Sequence, residues 1–366
     1  MEYAQERIAT LHDLTGRVPA SPSDRAAVVV PMTERDHGTE AARRLVSALE
    51  TVDPARVIVA LRAPEDSARA IHARFSTSDL PVEVLWCNAD PVTELLESHG
   101  LDGPTGKGRD VWLALGVAAA HEYVVAHDAD SRTVTPVDID RLLFPLDRGF
   151  SFAKGYYARI EENRFYGRLC RLFFTPLVRA LRETRDAAVL EYLEAFRYAL
   201  SGEFAATGAF VREIGAERGF GFEVGTLGDA FAHAGFEGSA QVDLGRYRHD
   251  HRPVSGPSGL ADMGEPGGAA LFRVLADSGI DPDYDRLREA YHDAAERLIR
   301  QYGADAAFND LSYDATEERS QVEVYADAIH PPKDDNRLPP WTEVALDPAD
   351  VREAARTARG TVTRTV

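Results

Sequence analysis

Four short stretches, residues 26–30 (AAVVV), 57–61 (VIVAL), 82–86 (VEVLW) and 123–126 (YVVA), are apolar almost without interruption. Runs of this length and continuity are the mark of strands buried on both faces, where alternation with polar residues is not tolerated. Helical patterns separate them, through Leu49 after the first and over 66–75 after the second. Strands alternating with helices predict an α/β fold with a mainly parallel sheet covered on both sides. Residues 151–157 read as a fifth strand and 241–244 as a short sixth. The stretch 163–200 reads as helical with a break near Pro176. Residues 202–223 read as loop, 224–234 as helix, and 252–268 as a Pro/Gly-rich linker. Residues 271–302 read as two helices broken near Gly279. The chain divides into a polar lead-in over 1–24, a main domain over 25–255, a helical segment over 256–330, and an extended tail with a weak final helix over 331–366.

The charge balance excludes some partners. The 366 residues carry 41 basic and 60 acidic side chains, a net charge of −19. Nucleic acid and anionic membrane both demand a basic surface, so neither is expected as a partner. The longest apolar runs fall far short of the roughly 20 residues that span a bilayer. The N-terminus is polar and acidic, unlike a signal peptide, so a cytoplasmic location is expected. Only Lys107, Lys154 and Lys333 are lysines. An acidic chain that uses arginine almost exclusively reads as adapted to a salt-rich cytoplasm, where salt screens the self-repulsion. A GC-rich genome is the plainer explanation. Cys87 and Cys170 form no framework pattern.

Four motifs can carry chemistry. Asp128-Ala129-Asp130 ends the fourth apolar run. Ligands of open α/β sheets bind beyond the carboxyl ends of the strands, and two carboxylates there can hold a divalent cation against a diphosphate. The alternative is a strand-end turn with solvated acids. Gly106-Lys107-Gly108 combines a point charge for phosphate with two glycines that let backbone approach a ligand. It is not a P-loop, whose lysine is followed by Ser or Thr. Lysine is otherwise nearly absent, so Lys107 and Lys154 mark positions that need an ammonium. His249-Asp250-His251 is a metal-binding cluster or a solvated turn. Gly219-Phe220-Gly221-Phe222-Glu223 places an acid where a helix begins. The signatures G-x-S-x-G, H-E-x-x-H, C-x-x-C and a strand-end G-x-G-x-x-G are all missing from the sequence, which removes residue support for hydrolase, zinc and dinucleotide readings.

Taken in order, these pieces resemble the glucosyl-3-phosphoglycerate synthases, retaining glycosyltransferases of the GT-A fold related to mannosylglycerate synthases. The resemblance covers about residues 26–255. It runs through Pro31-Met32-Thr33-Glu34, Gly106-Lys107-Gly108, Asp128-Ala129-Asp130 and Lys154-Gly155-Tyr156-Tyr157. It continues through Gly167-Arg168, residues 202–207 (GEFAAT), residues 219–225, residues 241–245 with His249, and Arg252-Pro253. It implies a Rossmann-like mixed sheet flanked by helices, with a helical C-terminal segment. It also implies hexosyl transfer, glucose from UDP-glucose being the first expectation, onto a small acidic acceptor such as 3-phosphoglycerate, with Mg²⁺ or Mn²⁺ as cofactor. Pro31, Thr33 and Glu34 would hold the uridine, Lys107 the diphosphate, and Asp128, Ala129 and Asp130 the nucleotide sugar. Asp130 and His249 would bind the metal. Glu203, Glu223 and Lys107 would be catalytic, and Arg168, Cys170 and His251 would line the acceptor pocket. Cys170 stands where the family has threonine and His251 where it has asparagine. Residues 61–66 (LRAPED) also depart from the family's second nucleotide loop. The acceptor and the base are therefore less constrained than the fold. A mannosylglycerate-type or glycan- or lipid-directed transferase is an alternative, and a homodimer is left open. A compatible solute would suit a salt-adapted cell as the product. Rivals of other kinds are a non-catalytic nucleotide-sugar-binding regulator, a sugar-phosphate nucleotidylyltransferase and a scaffold. The second needs a basic Gly-rich loop after the first strand, where 32–38 is acidic with one glycine.

Overall fold

In the computed structural model, which describes residues 4–76, 78–249, 260–333 and 335–363, the apolar runs become the strands of one mixed sheet. The strands are β1 (Ala9–Leu11), β2 (Ala26–Thr33), β3 (Arg56–Arg62), β4 (Val82–Trp86), β5 (Tyr123–Ala126), β6 (Phe152–Glu161), β7 (Arg164–Phe165), β8 (Phe204–Thr207) and β9 (Ser239–Tyr247). Their order is β1-β9-β6-β8-β5-β2-β3-β4, with β7 folded back on β6. Within that path β8 alone runs antiparallel to its neighbours; the other pairings are parallel.

Side chains along β2 go alternately to the two faces, and both faces are buried. Ala27 and Val29 enter one apolar cluster with the helices Lys107–Ala118, Thr175–Thr184, Phe222–His233, Leu260–Asp277 and Tyr284–Phe308. Val28 and Val30 enter the other, with the helices Glu40–Val52, Glu65–Phe75 and Pro136–Leu143. This is the double coverage that uninterrupted apolar strands require. Thr39 caps the first of these helices, its Oγ1 accepting from the Ala42 amide at 3.1 Å.

Several elements differ from the sequence reading. Residues 202–223 are not all loop: they contain β8 and the helix Gly208–Glu213. Phe-Ala-Ala-Thr lacks the β-branched run that signals a strand, yet Ala205 and Ala206 are fully buried in the middle of the sheet, where helices on both faces leave little room. No break occurs at Pro176. A π-helical turn, Leu169–Phe174, runs straight into Thr175–Thr184, and the Leu172 carbonyl, four residues before Pro176, accepts from the Tyr291 hydroxyl at 2.7 Å instead. Of the linker read over 252–268, residues 260–268 are helical despite Pro266; the remainder lies outside the described residues. The lead-in supplies the edge strand β1.

The C-terminal segment begins extended, and it is packed. Leu338 and Ala216 exchange backbone hydrogen bonds of 2.8 and 2.9 Å. Trp341 stacks on Trp112 with ring centroids 4.2 Å apart. Each indole N–H donates to a carbonyl at 3.0 Å, Trp112 to Pro339 and Trp341 to Trp112. The chain then closes with the helix Pro348–Thr363, whose Val351 and Ala355 are buried. Leu338, Trp341 and Leu346 belong to the same apolar cluster as Val111 and Phe222, so this segment completes the main core.

Candidate active site

The site residues gather at the carboxyl ends of β2, β5 and β9. Pro31 and Thr33 lie at the end of β2. Thr33 donates from its backbone N–H and its Oγ1 to Asp36 Oδ2, at 2.7 and 2.8 Å, which turns the chain sharply and leaves Glu34 at the rim. Ser67 Oγ donates to Glu34 at 3.4 Å. β5 runs into His127-Asp128-Ala129-Asp130, and the helix Lys107–Ala118 aims its first residue at the same place.

Lys107 is the hub. Its Nζ donates to Asp128 and to Glu223 Oε1, each at 2.8 Å. About a quarter of the side chains of Lys107 and Asp128 stays accessible, while Glu223 is buried. Burial works against the Lys107 charge, but the two carboxylates outweigh it and raise its pKa. Burial likewise pushes the Asp128 carboxyl upward, and Lys107 more than reverses this, holding it below its ordinary value. The second oxygen of Glu223 is buried without a hydrogen bond. Both oxygens of Glu203, which is fully buried, also lack a partner of proper geometry, although the Tyr157 hydroxyl is near enough to pull its pKa down slightly against the larger rise caused by burial.

The glycines that flank Lys107 have another purpose than the sequence suggests. A Cβ on Gly106 would sit 2.5 Å from the Arg218 carbonyl oxygen, and one on Gly108 would sit 1.8 Å from that of Glu217. The close approach they permit is by the chain's own 217–219 loop, where the Arg109 N–H donates to the Arg218 carbonyl at 3.0 Å. Gly202 serves Asp128 in the same way, since a Cβ there would meet Asp128 Oδ2 at 2.3 Å.

His249 reaches the site through a backbone bridge. It pairs antiparallel with Ser131, next to Asp130, and the Arg132 N–H donates to the Arg248 carbonyl at 2.7 Å. The strand end at β5 and the segment after β9 are thereby locked together. The His249 imidazole is buried and its Nδ1 has no hydrogen-bond partner. Burial, then the nearby Arg159 charge, pulls its pKa down to about 3. It is neutral at physiological pH, the form that ligates a metal. Among the described residues no cluster of three or more His, Cys, Asp or Glu side chains could hold an ion. The Ser131–His249 bridge brings His249 beside the segment that carries Asp130; two protein ligands would suit a cation whose other positions are taken by phosphate and water.

Arg168 is engaged by acids of the C-terminal helical segment. It pairs with Glu317 at 2.7 Å and Glu318 at 3.2 Å on the helix Ala315–Ala326. Cys170 is buried in the π-helical turn, 3.9 Å from Thr175 Oγ1. His251 and Asp250 lie outside the described residues. Sequence reasoning missed an aromatic floor: Tyr157 stacks on Tyr247 at 4.4 Å and meets Tyr198 at 4.7 Å and His249 at 5.5 Å. His127, fully buried, contacts the Tyr247 hydroxyl at 3.2 Å. The second tyrosine after Gly155, Tyr157, and the one two residues before His249, Tyr247, were its traces in the sequence. A separate cleft of about 390 Å³, lined by Thr10, His12, Arg17, Arg141 and Asp243 among others, lies by the β1–β9 edge and holds none of the predicted site residues.

No protein-family model matches the chain. It is 33% identical to the glucosyl-3-phosphoglycerate synthase of Methanococcoides burtonii, over 96% of each chain. It is 35% identical to that of Persephonella marina, over 75% of this chain and 72% of the relative. Its fold matches the crystal structure of glucosyl-3-phosphoglycerate synthase from Mycobacterium tuberculosis in complex with Mn²⁺, UDP and phosphoglyceric acid, with a TM-score of 0.55 and 25% identity, covering 75% of this chain and 88% of that one. Among the described residues no helix is long and apolar enough to cross a membrane. A mixed sheet of this order, with its lysine, acids and buried imidazole at the strand ends, and near-full-length identity to named relatives, establish that the chain belongs to the glucosyl-3-phosphoglycerate synthase family of GT-A glycosyltransferases.

Proposed function

We propose that the chain transfers glucose from UDP-glucose to 3-phosphoglycerate with retention of anomeric configuration. The observation that carries this reading is the Lys107 ammonium bridging Asp128 and Glu223 at 2.8 Å each, at the open end of the sheet. Crystal structures of the M. tuberculosis enzyme with Mn²⁺, UDP-glucose and phosphoglyceric acid, at 25% identity, support the donor and acceptor classes.

Pro31, Thr33 and Glu34 would hold the uridine at the end of β2. Lys107 would exchange one of its carboxylates for a phosphate oxygen and so stabilise the departing UDP. Asp130 and His249 would hold Mg²⁺ or Mn²⁺, which when bound spreads the diphosphate charge. Glu203 and Glu223 face the sugar and orient it; neither is assigned as nucleophile. The bond from the anomeric carbon to the β-phosphate oxygen breaks, the bond to the acceptor hydroxyl oxygen forms on the same face, and the acceptor's proton passes to the departing phosphate. Arg168, released from Glu317, would receive the acceptor's charge with Cys170 and His251 near it.

The test is incubation of the purified chain with UDP-glucose, Mn²⁺ and 3-phosphoglycerate, following UDP release, product mass and the anomeric proton signal. Acceptor-dependent release with an α-linked product is expected. Tight UDP-glucose binding without release would identify a regulator instead. Release with glycerate, a glycan or a lipid acceptor but not 3-phosphoglycerate would refute the acceptor.

A further inference from the structure

Lys154 is one of three lysines in the chain, and it is 1% exposed. None of the steps above uses it. Its Nζ donates to the Ser201 carbonyl at 2.9 Å. Ser201 Oγ donates to the Gly155 carbonyl at 2.7 Å, and the Gly155 N–H donates to the Glu203 carbonyl at 2.9 Å. These bonds close a ring between the middle of β6 and the turn 201–203. That turn carries Glu203 into the site, and its Gly202 makes room for Asp128. Four charged or titratable groups face the ammonium: Glu223 from the helix Phe222–His233, Glu203 from the turn, Lys107 from its own helix and Cys170 from the π-helical turn. A buried cation near two buried carboxylates is a costly arrangement that a purely structural position would fill with an apolar side chain.

We propose that Lys154 is a positioning residue for sugar transfer, fixing the Ser201–Gly202–Glu203 turn and supplying the positive charge that sets Glu203 and Glu223 against the donor sugar. The proposal rests on the reading above that a donor sugar lies before these acids. Its geometry stands without it. Burial, offset in part by Glu223 and Glu203, brings the Lys154 pKa down to about 8. The charge is therefore present at neutral pH and lost on the alkaline side.

The experiment compares wild type with Lys154→Met, which keeps the stem, and Lys154→Gln, which keeps a donor without charge. Both should lose about 100-fold in kcat, the loss typical of removing one electrostatic contact to a transition state, while the UDP dissociation constant measured by calorimetry stays within about threefold. In the wild type, kcat/KM for the donor should fall as pH rises through about 8, and this limb should vanish in both variants. Variants that keep kcat within about threefold, or a wild type flat between about pH 7 and 9, would overturn the proposal. If wild type transfers nothing from UDP-glucose, the proposed function fails, and crystal structures then decide on Lys154 alone: a displaced Glu203 turn in Lys154→Met supports it, and an unmoved turn refutes it.

Discussion

Replacing Lys107 by methionine isolates what holds the site together. The substitution keeps most of the stem and deletes one ammonium that satisfies two carboxylates at 2.8 Å each. In a medium of effective dielectric about 20, each contact at that distance is worth roughly 6 kcal/mol of direct attraction. Desolvation of three groups cancels much of it, and the quarter of Lys107 and Asp128 still open to solvent screens more. What remains is the cost of leaving buried acids without their cation, about 3–5 kcal/mol. For a chain of this size that is a fall in Tm of about 4–7 °C at pH 7.5. The pH dependence separates this cause from lost packing. In the wild type, Lys107 holds the Asp128 pKa below its unfolded value, so this stabilisation is present above about pH 4 and is lost only as pH falls through the folded value. Without Lys107, burial raises the carboxyl, which takes up a proton on mild acidification and sheds its penalty. The difference in stability between wild type and variant should therefore be greatest near pH 7.5 and shrink towards pH 5. Differential scanning fluorimetry across that range measures it. A difference that does not change between pH 5 and 7.5, or that stays under about 1 kcal/mol throughout, would show that the lysine is held by packing rather than by charge.

Three further outcomes are expected. Asp130→Ala and His249→Ala should each lower turnover by about 10²-fold or more and weaken Mn²⁺ binding to the UDP-loaded protein, with circular dichroism unchanged; calorimetry with Mn²⁺ checks this, and undiminished metal affinity in either variant would remove that residue from the site. Gly108→Ala should destabilise by at least about 1–3 kcal/mol, because its Cβ would press 1.8 Å from the Glu217 carbonyl oxygen; a thermal melt as stable as wild type would contradict the packing. Arg168→Ala should raise the acceptor KM and leave the donor KM alone, and it should also cost stability because buried Glu318 then relies on Arg171 at 2.8 Å; an unaltered acceptor KM would leave Arg168 only its structural pairs.

What could be read in advance was whatever local pattern enforces. The runs at 26–30, 57–61 and 123–126 read as central strands because four or five consecutive apolar side chains on alternating faces need cover on both sides. Asp128 and Asp130 lie just past the carboxyl end of β5, where their place after an apolar run puts them. The acid at Glu223 stood at a helix start in sequence, and it stands there in the fold. What stayed hidden depends on residues distant in sequence. β8 is a strand because β5 and β6 flank it and because alanine fits between two helical layers, not because Phe-Ala-Ala-Thr favours extension. The Trp112–Trp341 stack joins positions that no periodicity connects.

The glycines beside Lys107 show how a close approach read from sequence can be made by a group other than the one expected. Close approach was the right inference from Gly-Lys-Gly, yet the approaching group is the Glu217–Gly219 backbone. That loop is itself anchored: Glu217 takes a bidentate pair from Arg273 at 2.7 Å. The Arg218 guanidinium donates to the carbonyls of Leu101, Asp102 and Asn336. Lys107 therefore inherits its position from a helix seat built in part by the helical segment and the C-terminal strap, both outside residues 26–255, where the motifs lie. A rigid seat would suit the leaving-group role proposed for Lys107, since a preorganised ammonium costs no reorganisation when the bond breaks. The helical segment and the C-terminal strap thus hold the Lys107 seat through the 217–219 loop.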